Sequence, residues 1–244
     1  MTAMEEKKLR IDACFSPYLY PVYKDNESIV VIIDVLRATS AICTAFENGA
    51  EKIIPVATLE EAKAYKQKGF LVGAERNGLP VAGFDFGNSP FHYMGENIKG
   101  KTIVLTTTNG TQAIEAAKDA YKIVIGSFLN IDSLCDFLIK ENRNILLLCS
   151  GWKNKFNLED AVFAGAVTDA ISNHSEDRYD FGDACLALKY LSQMAKKNPN
   201  KFLSHSSHKE RLAKLNLKED VRYCFTPNQT KVIPIYMGGA LVRM

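Results

Sequence analysis

The sequence lacks the features that mark membrane proteins, disulfide-rich secreted proteins and nucleic-acid-binding proteins. No apolar run approaches the roughly 20 residues of a membrane-spanning helix, and the polar start, residues 1–8, has no apolar signal core. The six cysteines form no Cys-x-x-Cys pair, so neither disulfides nor a zinc site is expected. A net charge of +2 indicates no strong attraction to nucleic acid or membranes. We therefore expect a cytoplasmic enzyme.

Two common nucleotide-binding motifs are also absent. No Walker-type lysine pattern occurs and no Gly-x-Gly-x-x-Gly follows a predicted strand, which argues against ATP and dinucleotide binding. No internal repeat, low-complexity segment or change in composition marks a linker. With 244 residues, 47% of them hydrophobic, the chain is long enough for one large core, and we predict a single domain over 1–244.

Apolar segments of strand length alternate with amphipathic segments of helical length. This alternation predicts an α/β fold with three α/β/α layers, a largely parallel (mixed) central sheet, and the helical region 158–216 packed over it. Predicted strands cover 9–15, 29–33, 52–56, 70–74, 102–105, 122–125, 144–149 and 231–235. Predicted helices cover 41–47, 58–68, 111–118, 131–140, 158–172, 183–196 and 207–215, with capping boxes at Thr58–Glu61 and Ser207–Glu210.

The strand predicted at 29–33 is five apolar, mostly β-branched residues long, which is typical of a strand buried on both faces. It ends on Asp34, and Arg37, Thr39 and Ser40 follow immediately before a helix. A strand, a charged turn and a helix start can bind an anion on free backbone N–H groups, and Asp34 could hold a hard cation such as Mg²⁺. The alternative is that Asp34 caps the helix and Arg37 is a solvated surface charge.

Four predicted strands are followed by segments that carry charged, hydroxyl, amide or glycine residues, which we call loaded segments. If the strands are parallel, these segments lie at one edge of the sheet, where α/β proteins bind ligands. The glycine-containing turn before residue 111 could cradle phosphate or sulfonate oxygens, or could simply cap a helix. The segments are Asp34 with Arg37-Ala38-Thr39-Ser40, Glu75-Arg76, Thr107-Thr108-Asn109-Gly110-Thr111, and Ser150-Gly151-Trp152.

Two further segments carry candidate groups. The loop 83–90 could place Asp85 and Asn88 beside a ligand, or could be a loop anchored by its phenylalanines. Glu159 and Asp160 begin a helix, where they could bind metal, act as a base, or only compensate the helix dipole. Trp152 either borders a pocket or belongs to the core. The spacing of the four histidines favours no metal site.

Taken together, these motifs resemble the 2-phosphosulfolactate phosphatase (ComB) family over nearly the whole chain. The matching segments are 31–40, 73–76, 83–90, 107–111 and Glu159-Asp160, and then Ser207-His208 through Arg211-Leu212 and Asp220 through Cys224. Segment 225–229 departs from the family pattern, with amides and proline where an acid is expected. The resemblance implies an α/β/α phosphatase that uses Mg²⁺ and acts in coenzyme M biosynthesis.

The resemblance implies hydrolysis of (2R)-2-phospho-3-sulfolactate to 3-sulfolactate and phosphate. Alternatives are a phosphatase, phosphoryl transferase or isomerase acting on a related small phospho-acid, and a non-catalytic anion-binding protein. Expected partners are a small anionic phospho-acid and, for assembly, a second copy in a homodimer; neither nucleic acid nor a membrane is expected.

Roles follow from the positions of the charged groups. The expected Mg²⁺ ligands are Asp34, Glu75, Asp85 and Asp160. Arg37 and Arg76 are expected to hold the phosphoryl oxygens, and Glu159 or Asp160 to orient or deprotonate the attacking water. Because Asp34-Val35-Leu36 lacks a second acid at the third position, direct attack by water is favoured over a phosphoenzyme. The expected substrate-binding residues are Arg37, Ala38, Thr39, Ser40, Arg76, Asn88, Thr108, Asn109, Gly110, Thr111, Ser150 and Gly151.

Overall fold

Strands and helices alternate along the chain in the computed structural model, which describes residues 8–244. Residues 1–7, which include most of the segment expected to lack a signal core, lie outside the described part. The strands are β1 Leu9–Cys14, β2 Ile29–Ile33, β3 Lys52–Pro55, β4 Leu71–Arg76, β5 Leu79–Pro80, β6 Thr102–Thr106, β7 Lys122–Gly126, β8 Ile145–Cys149, β9 Tyr179–Phe181, β10 Pro234–Met237 and β11 Ala240–Arg243. The helices are α1 Tyr20–Tyr23, α2 Ala38–Glu47, α3 Leu59–Gln67, α4 Gly110–Ala116, α5 Ile131–Glu141, α6 Leu158–Ser175, α7 Asp183–Ala195, α8 Pro199–Phe202, α9 Ser207–Lys214 and α10 Lys218–Cys224.

Within residues 8–244 the strands form one sheet of order β5-β4-β6-β3-β11-β10-β7-β2-β8-β1-β9. It contains two parallel groups, β9-β1-β8-β2-β7 and β3-β6-β4. The antiparallel hairpin β10–β11 joins them, and β5 pairs antiparallel with β4 at one edge. The prediction of a largely parallel, mixed sheet is confirmed.

The direction of the strands differs in one respect from the sequence prediction. Because β10 is antiparallel to β7 and β11 is antiparallel to β3, the group β3-β6-β4 runs opposite to β2 along the ladder. The four strands β2, β4, β6 and β8 are therefore not all parallel to one another, which was the condition for their exits to lie at one edge. A sheet twists by roughly 20–25° per strand, so the five steps from β2 to β6 rotate the strand direction by roughly 100–125°. This rotation allows the carboxyl ends of the two groups to approach each other.

Strand β2 is buried on both faces, as its apolar run predicts. Ile29, Val31 and Ile33 pack into a cluster with residues of α5, α6 and α7, whereas Val30 and Ile32 pack into a second cluster with residues of α2 and α4. This alternation follows from the two-residue period of a strand. The prediction of three α/β/α layers is confirmed, and helices of the region 158–216 pack on the first face.

The helix starts are set by local capping, with one shift that matters for the site. Thr58 and Glu61 form the predicted capping box of α3. At α9 the cap is Ser206, one residue before the predicted Ser207, and its hydroxyl accepts from the Lys209 N–H at 3.4 Å. The same hydroxyl donates to Glu159 of α6 at 3.2 Å. The residue that caps α9 therefore also bonds to another helix, which Ser207 was not predicted to do.

The described helices include none that is both long and apolar enough to cross a membrane. All six cysteines are buried free thiols.

Candidate active site

Asp34 lies directly after β2 and is buried with 8% exposure. One of its carboxylate oxygens accepts from the Ala38 N–H at 3.4 Å, and its backbone carbonyl accepts from the Thr39 N–H at 3.0 Å. Burial raises the pKa of Asp34 to about 6; His208 and the Ala38 N–H oppose this rise, and Glu75 and Glu159 add to it. A carboxyl group that resists ionisation in this way is a candidate for a cation site or for proton transfer.

Asp160, in the first turn of α6, connects two of the strand exits. Its carboxylate oxygens accept from the Val35 N–H at 3.0 Å and the Gly151 N–H at 3.2 Å. Burial, followed by the charges of Asp34 and Glu159, raises the pKa of Asp160 well above its usual value. The exits of β2 and β8 and the start of α6 therefore share one buried carboxyl group.

Glu75, at the end of β4, reaches the exit of β6. Its carboxylate accepts from the Thr108 N–H and hydroxyl at 3.2 Å, and from the Gly78 N–H at 2.5 Å. Gly110 in turn lies so close to the β2 exit that an added Cβ would stand 3.1 Å from Asp34 Oδ2 and 2.9 Å from Ala38 Cβ. The structure thus brings the four loaded exits together at one place.

Arg37 is buried, and both terminal nitrogens of its guanidinium are hydrogen-bonded. Nη1 donates to Asp220 at 2.5 Å and Nη2 donates to the Gly78 carbonyl at 2.7 Å, while Nε has no partner. Arg37 is therefore not a solvated surface charge; it ties α10 and the β4–β5 turn to the β2 exit. Arg76 is half-buried and donates to the Glu75 carbonyl at 2.6 Å and to the Thr106 hydroxyl at 3.0 Å.

Helix α9 adds side chains to which the sequence analysis assigned no role. His208 Nδ1 is 2.5 Å from Glu159 Oε1, and its ring stacks on Trp152 with centroids 6.0 Å apart. The guanidinium carbon of Arg211 lies 3.8 Å from the centre of the Trp152 ring. Trp152 therefore borders the site rather than belonging to the core. The family resemblance already covered His208, Arg211 and Asp220, but they lie too far along the chain for local patterns to place them.

The hydroxyl groups near the helix starts mostly bond within the protein. Thr39 donates to the Asp34 carbonyl, Ser40 donates to the Val35 carbonyl, and Thr111 donates to the Thr107 carbonyl. Asn109 is the N-cap residue of α4 and makes no side-chain capping bond. These contacts shape the turns, in which the Ala38, Thr108 and Thr111 N–H groups are also bonded within the protein.

Gly151 is required by the geometry of its turn. It has φ +63, and an added Cβ would clash with the Lys155 carbonyl. Lys153 and Asn154 also have positive φ, and Trp152 pairs with Lys155, as in a tight hairpin turn that projects beside Trp152.

Asp85 is the expected metal ligand that lies apart from the other carboxylates. It is exposed, pairs with Lys66 at 2.5 Å and accepts from the Val72 N–H at 2.8 Å. Val72 is three residues before Glu75, which is about 10 Å along a strand. Despite some burial, the bonds to Lys66 and Val72 lower the pKa of Asp85. Asp85 is therefore positioned to anchor its loop rather than to join the carboxylate cluster.

Buried polar atoms without partners concentrate at the site. Such atoms are costly, at about 1–3 kcal/mol each, and are usually satisfied by a ligand or water. Four of the six in the described chain belong to the site segments, namely Arg37 Nε, Asn88 Oδ1, Ser150 Oγ and Arg211 Nη2. Arg37, Ser150 and Arg211 belong to segments that contact the carboxylate cluster, and their unpartnered atoms are donors.

The donor chemistry of the cluster fits Mg²⁺. No three His, Cys, Asp or Glu side chains within 8–244 are arranged as a complete metal centre. Mg²⁺ does not require one, because it keeps several waters and commonly binds through one or two carboxylates plus substrate phosphate. The charge of Asp34 raises the pKa of Asp160, as expected where a cation would relieve their repulsion.

A large cavity of the described chain lies away from the site. It measures about 680 Å³ and is lined by residues such as Leu9, Ile139 and Arg178. None of the buried carboxylates described above lines this cavity.

Known proteins resemble this chain over most of its length. A family model described as 2-phosphosulpholactate phosphatase matches residues 14–239. A protein from Thermotoga petrophila, named probable 2-phosphosulfolactate phosphatase, is 43% identical over 212 residues, which cover 87% of this chain and 90% of that protein. Proteins of the same name from Carboxydothermus hydrogenoformans and Clostridium acetobutylicum are 39% and 33% identical, covering 93% and 96% of this chain and 92% and 100% of their own. The matched region contains every residue of the site.

Proposed function

Because the chain belongs to the 2-phosphosulfolactate phosphatase family, we propose that it hydrolyses (2R)-2-phospho-3-sulfolactate to 3-sulfolactate and phosphate with the help of Mg²⁺. Water attacks phosphorus, the bond from phosphorus to the ester oxygen breaks, and that oxygen leaves with a proton as the 2-hydroxyl group. The supporting observation is the convergence of four buried carboxylates with arginine side chains at the strand exits. The four carboxylates are Asp34, Glu75, Glu159 and Asp160.

The size of the barrier indicates how many groups must cooperate. Phosphate monoester hydrolysis can require up to ~10²¹-fold acceleration, which corresponds to more than about 20 kcal/mol. A single carboxylate cannot supply this. A cation, positively charged side chains and fixed positioning acting together are of the right order.

The proposed Mg²⁺ ligands are Asp34 and Asp160, with Glu75 as the further candidate. When bound, Mg²⁺ would neutralise phosphoryl charge and lower the pKa of a coordinated water. The chain itself holds Asp160 in place through the Val35 and Gly151 N–H groups. The expected ligand Asp85 is left out of this set, because its carboxylate is engaged by Lys66 and Val72.

Glu159 and His208 are suited to handle the proton. The Ser206 hydroxyl and His208 Nδ1 hold the carboxylate of Glu159 in place. The contact between this carboxylate and Nδ1 orients the imidazole. With Nδ1 engaged, the atom of His208 that can exchange a proton is Nε2. In this proposal Glu159 positions the histidine, and the histidine holds or releases the proton at Nε2.

The phosphoryl group is proposed to lie near Arg76 and the turn at Thr108–Gly110. Arg76 is half-buried, and its guanidinium donates to the Glu75 carbonyl. The carboxylate of Glu75 in turn accepts from the Thr108 N–H, so Arg76 and this turn share a neighbour. Arg37 contributes only Nε directly, because its two other nitrogens bind Asp220 and Gly78. Its larger contribution is to hold α10 and the β4–β5 turn around the site.

The test is a phosphate-release assay over a panel of small phospho-acids, with Mg²⁺ and after treatment with EDTA. Phosphosulfolactate should be the best substrate, and EDTA should abolish release. Asp160→Asn should lose activity. Asp119→Asn, which removes an exposed carboxylate paired with Lys24, serves as the control and should behave like the unmodified chain.

Other outcomes separate the alternatives. Phosphate release that requires an acceptor molecule would identify a phosphoryl transferase. Binding of phospho-acids without any release of phosphate would identify a non-catalytic binding protein. Full turnover by metal-stripped protein would remove Mg²⁺ from the proposal.

A further inference from the structure

We propose that Arg211, held against Trp152, recognises the second anionic group of the substrate, a carboxylate or sulfonate, and so determines specificity for phospho-acids that carry one. This inference rests on the proposed function, because it concerns the same site. It concerns the part of the substrate that does not react.

Arg211 is fixed in place by an aromatic ring. His208 and Arg211 are three residues apart on α9, so they lie on the same face of the helix. Both contact the Trp152 ring, at a centroid distance of 6.0 Å for His208 and 3.8 Å from the guanidinium carbon for Arg211. A guanidinium stacked on tryptophan keeps its N–H edge available while its flat face is covered.

The nearby acids are hydrogen-bonded to groups other than Arg211 in the described chain. Glu159 and Glu75 are both close enough for their charges to raise the pKa of Arg211, although burial lowers it overall. The oxygens of Glu159 are taken by His208 and Ser206, and those of Glu75 by Thr108 and the Gly78 N–H. The Nη2 atom of Arg211 accordingly remains buried without a partner in the described chain. An acceptor from outside the chain is needed to satisfy it.

Electrostatics favour an anion in this role. The buried carboxylates around Asp34 repel any negatively charged part of a substrate. One divalent cation leaves a substrate that carries a phosphate, a carboxylate and a sulfonate with net negative charge. Arg211 supplies the compensating charge, and its planar fork matches the paired oxygens of a carboxylate or sulfonate.

The decisive measurement compares Arg211→Gln with the unmodified chain on three substrates. 2-Phospho-3-sulfolactate carries both extra anions, 2-phospholactate lacks the sulfonate, and 1-sulfopropan-2-yl phosphate lacks the carboxylate. The substitution should lower kcat/KM at least tenfold for the full substrate and for the analogue that keeps the recognised group. The other analogue should change less than twofold. Arg211→Lys, which keeps the charge, should recover part of the loss.

A second readout is independent of turnover. Trp152 is the sole tryptophan of the chain, so fluorescence reports directly on the ring that Arg211 covers. Titration with 3-sulfolactate, which has no phosphate, should change this fluorescence in the unmodified chain and not in Arg211→Gln. Arg222→Gln is the matched control, since Arg222 is an exposed arginine of the neighbouring helix α10 that pairs only with Glu219 among the described residues. It should leave both readouts unchanged.

An equal loss on all three substrates would overturn the inference and leave the proposed function standing, because Arg211 would then act on the phosphoryl group or on folding. The absence of any fluorescence response to 3-sulfolactate, together with unchanged substrate preference, would also overturn it. If no substrate releases phosphate but the response to 3-sulfolactate depends on Arg211, the inference stands and the proposed function falls.

Discussion

Replacing Asp34 by asparagine should separate a metal-binding carboxylate from a helix cap. Asp34 is buried with 8% exposure, and one of its oxygens lies 3.4 Å from the Ala38 N–H. A capping role would make the carboxylate stabilising, and its loss would cost about 1 kcal/mol. Burial and the charges of Glu75 and Glu159 instead make its ionised form costly. We therefore expect Asp34→Asn to be more stable than the unmodified chain without metal, and inactive.

The magnitude follows from the pKa of Asp34. It is raised from 3.8 to about 6 in the folded chain. The folded state thus holds this proton more tightly than the unfolded state, so ionisation destabilises the fold. The penalty is absent below pH 3.8, grows as the pH rises, and is complete above about pH 6. It amounts to about 3 kcal/mol at most, at ~1.4 kcal/mol per pH unit.

The assay is a set of melting curves at pH 4 and pH 7.5 in EDTA, repeated with Mg²⁺ and accompanied by phosphate release. A gain of about 1–3 kcal/mol corresponds to a Tm higher by roughly 2–12 °C at pH 7.5 for a chain of this size. The gain should nearly vanish at pH 4. Mg²⁺ should raise the Tm of the unmodified chain by mass action, and should have little effect on the variant.

The opposite pattern would refute this reasoning. If Asp34→Asn melts several degrees lower at pH 7.5 in EDTA and still releases phosphate in proportion to its folded fraction, Asp34 is a helix cap. Asp119→Asn is the control for loss of a carboxylate, because Asp119 is exposed and pairs with Lys24. Its Tm should stay close to that of the unmodified chain at both pH values.

Three further outcomes are expected. Arg37→Lys should lower kcat/KM at least tenfold and lower the Tm, because one ammonium group cannot replace the fork that binds Asp220 and the Gly78 carbonyl; unchanged steady-state kinetics would show that this fork is dispensable. Gly110→Ala should lower activity and weaken the Mg²⁺-induced rise in Tm, since the new methyl group would press on Asp34 and Ala38; equal Tm shifts in the two proteins would contradict this. Removal of metal by EDTA should abolish phosphate release by the unmodified chain, and addition of Mg²⁺ should restore it; release that persists in EDTA would contradict the metal requirement.

Local patterns were sufficient to predict most elements of this fold. The β-branched run before Asp34 forms the doubly buried strand β2, and Thr58 with Glu61 caps α3 as predicted. Strands β5, β9 and β11 and helices α1, α8 and α10 were missed, because they are short and have weak periodicity. At α9 the cap moved by one residue to Ser206, which has a partner in Glu159 on another helix. Local rules cannot represent such a partner.

The sequence by itself determined which residue types end each strand, and therefore that carboxylates, arginines and glycine turns would be available at strand exits. It did not determine how those exits are arranged. Only the tertiary structure decided that the two groups of parallel strands run in opposite directions and still converge, because this depends on the β10–β11 hairpin, formed by the last residues of the chain, and on the twist of the whole sheet.

The tertiary structure also decided what each charged side chain does. Arg37 is paired with Asp220, 183 residues away, and Glu159 with His208, 49 residues away. Whether an arginine holds a ligand or an internal partner depends on which groups the folded chain brings within about 3 Å of it. A linear pattern records the residue types and their spacing along the chain, whereas hydrogen bonding and burial are set by distances in space.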